Sequence, residues 1–426
     1  TDLCLNYQTI VLRKAPLECR YGNHRIGTGA SVVHLDGGRH TCAMIWNSHS
    51  VTMIGTAFSR RGNKPFGIRL ADRLQHIYIL GQTGTGKSTL LGSLMRQDLR
   101  QGHGFCLIDP HGDLAKQIAQ VAPQNAIIWN VADPDCPYGY NPMTRASEKF
   151  RPLIASGLID TLKKQWADAW GARMEHLLRY SILALLDQPR TDVRDIMRMF
   201  LDDDFRRKIL TKVTDEQVQL FWRKEFPAMN YKNAADGVAP IANKLGAFMA
   251  HPVVRRALCE PGTPLRLRKI MDEGQILIVN LSKGQLGSDT SNVLGGMITS
   301  GLAHAAYSRH SIPEPERRPF FLYVDEFHSF TTDAMVEMLS ELRKYGLSLT
   351  LANQYLGQIE GDVLDSVLGN VGTVIAFRTS PMDAPLLTRH FDGVAARDLI
   401  AMPNYRMMVR LMVDGERTKA FTARGV

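Results

Sequence analysis

The segment Gly81-Gln-Thr-Gly-Thr-Gly-Lys-Ser88 constrains the fold of this chain more than any other feature. It matches the pattern G-x-x-x-x-G-K-[ST] at every fixed position. A short apolar run at residues 77–80 precedes it, and a run of helical character at residues 89–99 follows it. Glycines let the backbone N–H groups of such a loop point inward toward a polyphosphate, and the helix that follows adds its N-terminal dipole. The pattern therefore predicts a strand–loop–helix unit that binds a nucleotide.

The positions of this loop have separate expected roles. Lys87 can reach the β- and γ-phosphates, and the hydroxyl of Ser88 can ligate Mg²⁺. ATP and Mg²⁺ are therefore the expected cofactors. The residues expected to contact the nucleotide are Gly81, Gln82, Thr83, Gly84, Thr85, Gly86, Lys87, Ser88 and Thr89.

Two carboxylates follow another apolar run, at residues 320–324. We expect a central strand there, with Asp325 and Glu326 at its carboxyl end, where ligands of parallel sheets bind. Asp325 is placed to hold Mg²⁺ through water, and Glu326 to orient or deprotonate the attacking water. Acidic residues often end strands, so the pair alone is a weak signal of catalysis. It becomes a strong signal because a phosphate loop precedes it in the chain.

Two further polar residues are candidates for the same chemistry. A strand predicted at residues 347–352 is followed by Asn353 and Gln354, and Gln354 can sense the γ-phosphate or position water, unless it simply faces solvent. Arg343 lies near the end of a helix predicted at residues 333–344. Such an arginine is either solvated or points across a subunit interface to stabilise transition-state charge. Spacing alone does not choose between the two.

Hydrophobic periodicity divides the chain. Residues 51–145 and 261–426 alternate between strand-like and helix-like patterns, which predicts an α/β nucleotide-binding domain in two parts, with a parallel sheet covered on both faces. Residues 146–260 carry Leu, Met and Ala at three- and four-residue spacing, which predicts an inserted all-α domain. Residues 1–50 form an N-terminal extension in which we expect short strands and loops.

Two turns are also predicted. Asp414-Gly415 lies between two strand-like runs and indicates a hairpin in the tail. In Asp109-Pro-His-Gly-Asp113, Asp109 ends a strand and Asp113 is expected to cap the next helix. We favour that structural role over a metal site.

Net charge indicates the class of partner, and the spacing of the cysteines indicates their redox state. Among 426 residues, 51 Lys and Arg outnumber 42 Asp and Glu, a net charge of +9. A dispersed basic excess fits a polyanion such as nucleic acid, although each single pair is more commonly solvated surface. The six cysteines form no C-x-x-C pair, which predicts reduced thiols and no zinc site. The basic pairs and triplets are Arg60-Arg61, Lys163-Lys164, Arg206-Arg207-Lys208, Arg255-Arg256 and Arg317-Arg318.

Taken in order, these motifs resemble those of the HerA/FtsK superfamily of hexameric DNA-translocating ATPases. Within it, the chain is most similar to the coupling proteins of conjugative type IV secretion, of the TraD/TraG type with a TraM-recognition domain. The segments that carry the resemblance lie at residues 76–89, 108–114, 141–142, 321–327, 342–354 and 369–378.

The resemblance implies a RecA-like motor domain with an inserted helical domain, assembled as a hexameric ring. It places the family's phosphate-loop lysine on Lys87, its acidic pair on Asp325 and Glu326, its motif glutamine on Gln354 and a trans-acting arginine on Arg343. It further implies ATP-driven movement of DNA, held by its backbone without sequence preference, and partners such as a relaxase and the type IV secretion ATPases.

Two other functions remain open on the same motifs. One is a cytosolic HerA-like motor for DNA processing or defence. The other is a receptor and assembly ATPase that recruits a relaxase–DNA complex without processive translocation. Coupling proteins usually begin with membrane-spanning helices, and no apolar stretch here has that length. We therefore expect a cytoplasmic protein, or one held at the cytoplasmic face of the inner membrane by a segment preceding Thr1.

Overall fold

A computed structural model describes residues 50–60, 62–144, 146–229, 237–331 and 339–426, together with the backbone of residues 30–32 and 44–46. The strands are β1 Ala30–Val32, β2 Met44–Trp46, β3 Val51–Ala57, β4 Lys64–Arg69, β5 Ile77–Leu80, β6 Gly104–Asp109, β7 Ile127–Asn130, β8 Tyr138–Gly139, β9 Thr263–Pro264, β10 Ile276–Asn280, β11 Phe320–Val324, β12 Leu347–Asn353, β13 Thr373–Ala376, β14 Arg406–Arg410, β15 Met412–Val413, β16 Glu416–Arg417 and β17 Phe421–Gly425.

The α-helices are α1 Leu70–Arg73, α2 Lys87–Gln101, α3 Asp113–Ala119, α4 Arg151–Gln165, α5 Ala172–Leu186, α6 Arg194–Leu201, α7 Asp203–Leu210, α8 Glu216–Leu220, α9 Phe226–Ala228, α10 Val238–Ala250, α11 Pro252–Cys259, α12 Leu267–Glu273, α13 Lys283–Leu286, α14 Ser288–Tyr307, α15 Gly361–Asn370, α16 Ala384–Thr388 and α17 Ala396–Ile400. A π-helical turn at Phe221–Glu225 joins α8 to α9. None of the described helices combines the length and the apolarity that crossing a membrane requires.

One large sheet organises the molecule. Its eleven strands lie in the order β4-β3-β17-β14-β13-β5-β12-β11-β6-β10-β7. The seven strands from β13 to β7 are parallel, and the strands from β14 to β4 continue the sheet antiparallel. Because parallel strands share one carboxyl edge, the loops that follow β5, β6, β10, β11 and β12 meet there.

The central strands are buried on both faces, which explains why they read as continuous apolar runs. Tyr78 and Leu80 of β5 belong to the core on one face, and Ile77 and Ile79 to the core on the other. The first of these cores is continuous with the core of helices α4 to α11. Helix α4 packs against α14, and a Cβ at Gly157 would lie 2.2 Å from Ser300 Oγ, so this approach requires glycine.

These elements confirm the predicted α/β class with an inserted run of helices. The strand-like runs of the sequence at residues 104–109, 126–130, 275–281, 320–324, 347–352 and 371–377 form β6, β7, β10, β11, β12 and β13, and their ends differ by no more than two residues. The predicted tail hairpin is confirmed as β15 and β16, which pair antiparallel around Asp414 at φ 51° and Gly415 at φ 82°. The domain boundaries at residues 50, 145 and 260 stay predictions.

Some predictions fall partly outside the described residues. Of the N-terminal extension, the described backbone shows β1 and β2 paired antiparallel. Of the helix predicted at residues 333–344, residues 333–338 lie outside the described part, and Leu342–Tyr345 form a 3-10 turn rather than α-helix. Among the cysteines, Cys106, Cys136 and Cys259 are free thiols, and the other three lie outside the described residues.

Candidate nucleotide-binding site

The phosphate loop connects β5 to α2 at the carboxyl edge of the sheet. Gly84 has a φ of 76° and Gly86 a φ of 123°, conformations that L side chains rarely adopt. A Cβ at Gly81 would lie 2.6 Å from Phe377 Cβ, so that position also requires glycine. Ser88 and Thr89 are exposed in the first turn of α2, where backbone N–H groups are free to meet an anion. The predicted residues therefore form a loop suited to phosphate.

Lys87 lies inside this loop. Its side chain is buried, and its Nζ donates hydrogen bonds to the carbonyl oxygens of Gly81 at 2.5 Å and Gln82 at 3.4 Å. Burial lowers the pKa of Lys87, against the opposing effects of Glu326 and Asp325. The ammonium group thus donates to two loop carbonyls and interacts electrostatically with both acids, and a phosphate entering the loop would bring further negative charge to it.

Asp325 follows β11 directly and is 6 % exposed. Burial, the Glu326 carboxylate and the Asp109 carboxylate raise the pKa of Asp325 to about 6. Burial and the two neighbouring carboxylates thus disfavour the ionised form of Asp325, and a divalent cation bound beside it would offset that cost. The Asp325 carboxylate therefore suits Mg²⁺, and the part of Ser88 in holding the ion stays a prediction.

Glu326 adopts a left-handed backbone conformation at φ 48°, which is uncommon for a residue with a side chain. Its Oε1 accepts a hydrogen bond from Gln354 Nε2 at 2.7 Å, and Gln354 Oε1 accepts one from Thr83 Oγ1 at 3.0 Å. Its Oε2 is buried and accepts no hydrogen bond from the described residues. The structure therefore joins Glu326 to the phosphate loop through Gln354 and leaves one carboxylate oxygen free to act on a ligand or a water.

Sequence reasoning missed two residues beside Glu326. Lys283, just after β10, donates from Nζ to Ser329 Oγ at 2.9 Å, and burial lowers its pKa while Glu326 opposes that effect. His328 Nδ1 lies 3.4 Å from Glu326 Oε2 and 3.2 Å from Asn353 Nδ2. Burial, followed by the charges of Lys283, Lys164 and His111, lowers the pKa of His328 to about 4, so the ring is neutral near pH 7.

A signal for Lys283 was present in the sequence. It stands two residues beyond the strand-like run at residues 275–281, which forms β10, and the loops that follow parallel strands share one edge. His328 could not have been recognised in this way, because its position depends on the turn at Glu326. Lys164 of α4 holds the same loop from the helical region. Its Nζ donates to the carbonyl oxygens of His328 at 2.7 Å and Thr331 at 2.6 Å.

The turn after β6 differs from its prediction in one respect. Asp109 Oδ1 accepts from the His111 N–H and Oδ2 from the Ala115 N–H, both at 2.8 Å. Gly112 precedes α3 at φ 87°, and no side-chain cap comes from Asp113. The prediction that Asp113 caps the helix was wrong, because the left-handed turn at Gly112 brings the Asp109 carboxylate over the first turn instead. Within the described residues, no group of three or more His, Cys, Asp or Glu side chains could hold a metal ion by itself.

Arg343 is not brought to the phosphate loop of its own subunit. It lies exposed in the turn before β12, at the amino edge of the sheet, whereas Gln354 follows β12 at the carboxyl edge. A strand of seven residues spans about 23 Å at the usual rise per residue. A role for Arg343 within its own site is thus excluded by distance, and a role at a neighbouring subunit stays a prediction.

Residues 65–245 match the family model described as the type IV secretion-system coupling protein DNA-binding domain. This match confirms the resemblance to the conjugative coupling proteins. No curated protein matches the chain in sequence.

Solved structures of similar fold agree with this match. The unbound conjugative coupling protein TrwBdeltaN70 is 16 % identical, with 84 % of this chain and 86 % of that chain covered at a TM-score of 0.61. TrwB in complex with ADP and Mg²⁺ is 18 % identical, with 83 % and 85 % covered at a TM-score of 0.61. VirB4 of Thermoanaerobacter pseudethanolicus is 14 % identical, with 89 % and 96 % covered at a TM-score of 0.57. These similarities confirm the RecA-like P-loop fold.

Proposed function

We propose that this chain, which carries a domain of the type IV coupling-protein family, is an ATPase that hydrolyses ATP with Mg²⁺ and uses the energy to move DNA for conjugative transfer. The observation that carries the proposal is the hydrogen-bonded connection from Thr83 of the phosphate loop through Gln354 to Glu326. It links the loop that would hold the phosphates to the carboxylate that would act on water. The relative TrwB in complex with ADP and Mg²⁺ supports the choice of cofactors.

The side chains divide the work of phosphoryl transfer. Residues 81–89 bind and orient the phosphates, and Lys87 neutralises their charge. Mg²⁺, held by Ser88 and Asp325, would supply further charge neutralisation at the same oxygens. Glu326, oriented by Gln354, accepts the proton of the attacking water or holds that water in line.

DNA is the proposed substrate of the motor. The match of residues 65–245 to a DNA-binding domain supports it, and so does the net charge of +9. Several of the basic pairs, however, are engaged within the protein. Arg206 and Arg207 form ion pairs with Asp203 and Asp204. The guanidinium groups of Arg255, Arg256, Arg317 and Arg318 donate to backbone carbonyl oxygens.

Contact with DNA is therefore proposed to involve the phosphate backbone and not base edges, since a dispersed positive charge neutralises phosphates without reading sequence. Affinity should fall steeply as salt rises and should vary little among sequences. Filter binding or fluorescence anisotropy over a salt series checks this. A complex insensitive to salt, or one that prefers a single short sequence, would argue for another mode.

The test of catalysis compares two variants of the site. Lys87→Ala should weaken nucleotide binding, because Lys87 contacts phosphate in the ground state. Glu326→Gln should keep binding and lose turnover by two to four orders of magnitude, roughly the contribution of a general base. Turnover of the unaltered protein should rise with DNA. If Glu326→Gln retained full turnover, Glu326 would have no part in the mechanism. If the turnover of the unaltered protein did not change with DNA, the result would favour the receptor and assembly role.

Assembly into a ring is proposed to complete each site with Arg343 from the neighbouring subunit. The distance of Arg343 from its own site and its exposure support this. An arginine supplied in trans contributes about three to five orders of magnitude to turnover. Arg343→Ala subunits keep an intact phosphate loop, and Lys87→Ala subunits keep Arg343, so mixing the two inactive proteins should restore part of the activity. Lack of recovery in rings shown by mass to be mixed would contradict the assignment.

A further inference from the structure

Residues 327–331, which we term the bridge loop, connect the helical region to the end of β11. Two aromatic side chains of this loop are buried. Phe327 packs edge-on against the Tyr78 ring of β5, with ring centres 6.2 Å apart. Phe330 lies against α14, where a Cβ at Gly295 would lie 2.2 Å from Phe330 Cδ1, so this approach requires glycine. Packing therefore holds the apolar side of the bridge loop.

The polar side of the bridge loop is held by Lys164, from the last turn of α4. Its Nζ donates to the carbonyl oxygen of His328 at 2.7 Å, to the carbonyl oxygen of Thr331 at 2.6 Å and to Thr331 Oγ1 at 2.7 Å. An ammonium group has three N–H donors, so three such acceptors occupy Lys164 within its own subunit. The sequence alone marks Lys164 as half of a basic pair suited to nucleic acid, whereas the structure shows it bound to the protein itself.

The bridge loop places His328 against Glu326. Nδ1 of His328 lies 3.4 Å from Glu326 Oε2 and 3.2 Å from Asn353 Nδ2, an amide nitrogen that donates. Nδ1 is therefore an acceptor and gives no hydrogen to Oε2, which has no hydrogen-bond partner among the described residues. The ring thus limits how the carboxylate can turn and leaves its free oxygen to a water. Lys164 helps to fix that ring, because it holds the carbonyl group of the same residue.

We propose that Lys164 is a positioning residue for ATP hydrolysis. From the helical region it fixes the bridge loop, and it thereby holds His328 against Glu326. The inference rests on the proposed function and deepens it, because it makes the orientation of the acid depend on α4. A shift of α4 against the sheet would then change turnover without any change in the phosphate loop.

The test removes the ammonium group and keeps the length of the side chain. Values of kcat and KM for ATP should be measured for Lys164→Met with Mg²⁺ and without DNA, so that a lost contact with DNA does not enter. Lys164→Arg keeps a cationic donor and is the conservative variant. Thr331→Val removes one of the three acceptors, so it tests the contact even if Lys164→Met fails to fold. Lys163→Met, at the neighbouring exposed position of the same turn, is the matched control.

We expect Lys164→Met to lower kcat about tenfold, less than the hundredfold that a misplacement of 1 Å can cost, because Gln354 still holds Glu326. KM for ATP and the affinity for ADP, measured by calorimetry, should not change. Lys164→Arg should recover most of the loss, Thr331→Val should show a smaller one, and Lys163→Met should behave as the unaltered protein does. Urea denaturation of each variant shows whether any loss of kcat comes from unfolding.

The route through His328 is tested by a double variant. His328→Ala removes the ring, so adding Lys164→Met to it should cost little further turnover. Additive losses would overturn the inference, and so would an unchanged kcat in Lys164→Met. An equal loss of ADP affinity would also overturn it, because Lys164 would then support the nucleotide site as a whole. If the unaltered protein and Lys163→Met were folded but hydrolysed no ATP, the proposed function itself would fail, and the inference with it.

Discussion

Two buried clusters of charged side chains lie in the same α/β region and differ in how their carboxylates are compensated. In the first, which we term the closed cluster, Asp98 accepts hydrogen bonds from Arg73 at 2.6 and 2.7 Å, from Tyr323 at 2.5 Å and from His103 at 3.2 Å. Burial alone would raise the pKa of Asp98, but Arg73 and these hydrogen bonds hold it below its usual value. Apart from Arg73 Nε, the ionic groups of this cluster are satisfied.

The second, termed the open cluster, consists of Asp325, Glu326, Asp109 and Lys87. Here burial and neighbouring carboxylates raise the pKa of Asp325, and Glu326 Oε2 has no hydrogen-bond donor among the described residues. Both clusters flank the same strand, β11, which contributes Tyr323 to the closed one and leads into Asp325 of the open one. Burial therefore does not distinguish structural charge from functional charge. A carboxylate without a hydrogen-bond donor or counter-charge does distinguish the two, because it requires a ligand to supply the missing interaction.

The largest effect should follow from opening the closed cluster. Asp98→Ala leaves the buried Arg73 guanidinium without its carboxylate, which costs on the order of 3–5 kcal/mol in the free energy of unfolding. Urea denaturation of the metal-free protein measures it. Asp135→Ala, at an exposed loop position, is the control and should stay within about 0.5 kcal/mol of the unaltered protein. If Asp98→Ala lowered the free energy of unfolding only slightly, the charges of the closed cluster would be no better compensated than those of the open cluster.

At the open cluster, removing a carboxylate should raise the free energy of unfolding instead of lowering it. Asp325→Asn removes a carboxylate whose ionisation burial opposes, so the metal-free protein should become more stable, by on the order of 2 kcal/mol near pH 7.5. The same variant should lose Mg²⁺-dependent nucleotide binding. Urea denaturation in the presence of a chelator measures the gain, and calorimetry measures the loss.

The pH dependence of this gain follows from the direction of the shift. The folded-state pKa of Asp325, about 6, lies above its usual value, so the folded protein binds this proton more tightly than the unfolded chain does. Ionisation therefore costs stability as the pH rises from ~4 to ~6. The advantage of Asp325→Asn should be complete above that window and absent below it. A gain independent of pH would have to come from another cause.

A smaller effect should follow from cutting the link between the phosphate loop and Glu326. Gln354→Ala removes a hydrogen bond to a charged group. The activation free energy should therefore rise by about 2 kcal/mol, which lowers turnover roughly thirtyfold, and the affinity for ADP should not change. Thr83→Ala should lower turnover less. Because both act through one connection, the double variant should be little slower than Gln354→Ala. Strictly additive losses would show that Thr83 and Gln354 act separately.

The smallest effect should come from Tyr323→Phe, which deletes one hydroxyl from the closed cluster. We expect a loss of about 1 kcal/mol in the free energy of unfolding, the net value of one hydrogen bond. Turnover should not change, because the hydroxyl contacts Asp98 and Arg73 and no part of the open cluster. A clear fall in turnover without unfolding would show that the closed cluster also serves catalysis.

Much of the fold could be predicted because its signals are local. The apolar runs that became β6 and β11, and the glycines at 84 and 86, act within a few residues and depend little on the rest of the chain. The turn at Gly112 shows the limit of this reasoning. The sequence indicated Asp113 as the cap of the helix, and only the backbone conformation at Gly112 decided that the Asp109 carboxylate takes that place.

The residues of the candidate site that could be predicted are those whose chemistry is tied to a motif, such as Lys87 and Asp325. His328 and Lys283 carried no motif. Lys283 lies near Glu326 because separate loops meet at one edge of the sheet, whereas His328 is placed by the turn that begins at Glu326 itself. For Arg343, spacing alone did not choose between a solvated role and a role in trans. The position of Arg343 at the amino edge then removed any role within its own site.

By itself, the sequence predicted a phosphate loop at residues 81–88, an alternation of strands with helices on either side of a helical insertion, and two acids after a buried strand. Tertiary structure alone decided which acids are compensated, that Gln354 contacts Glu326, and that the segments around Phe58, Tyr405 and Arg424 enclose one cavity. The physical reason is range. Backbone preferences and hydrophobic periodicity act over a few residues, whereas burial, pKa shifts and cavities depend on groups hundreds of residues apart in the chain.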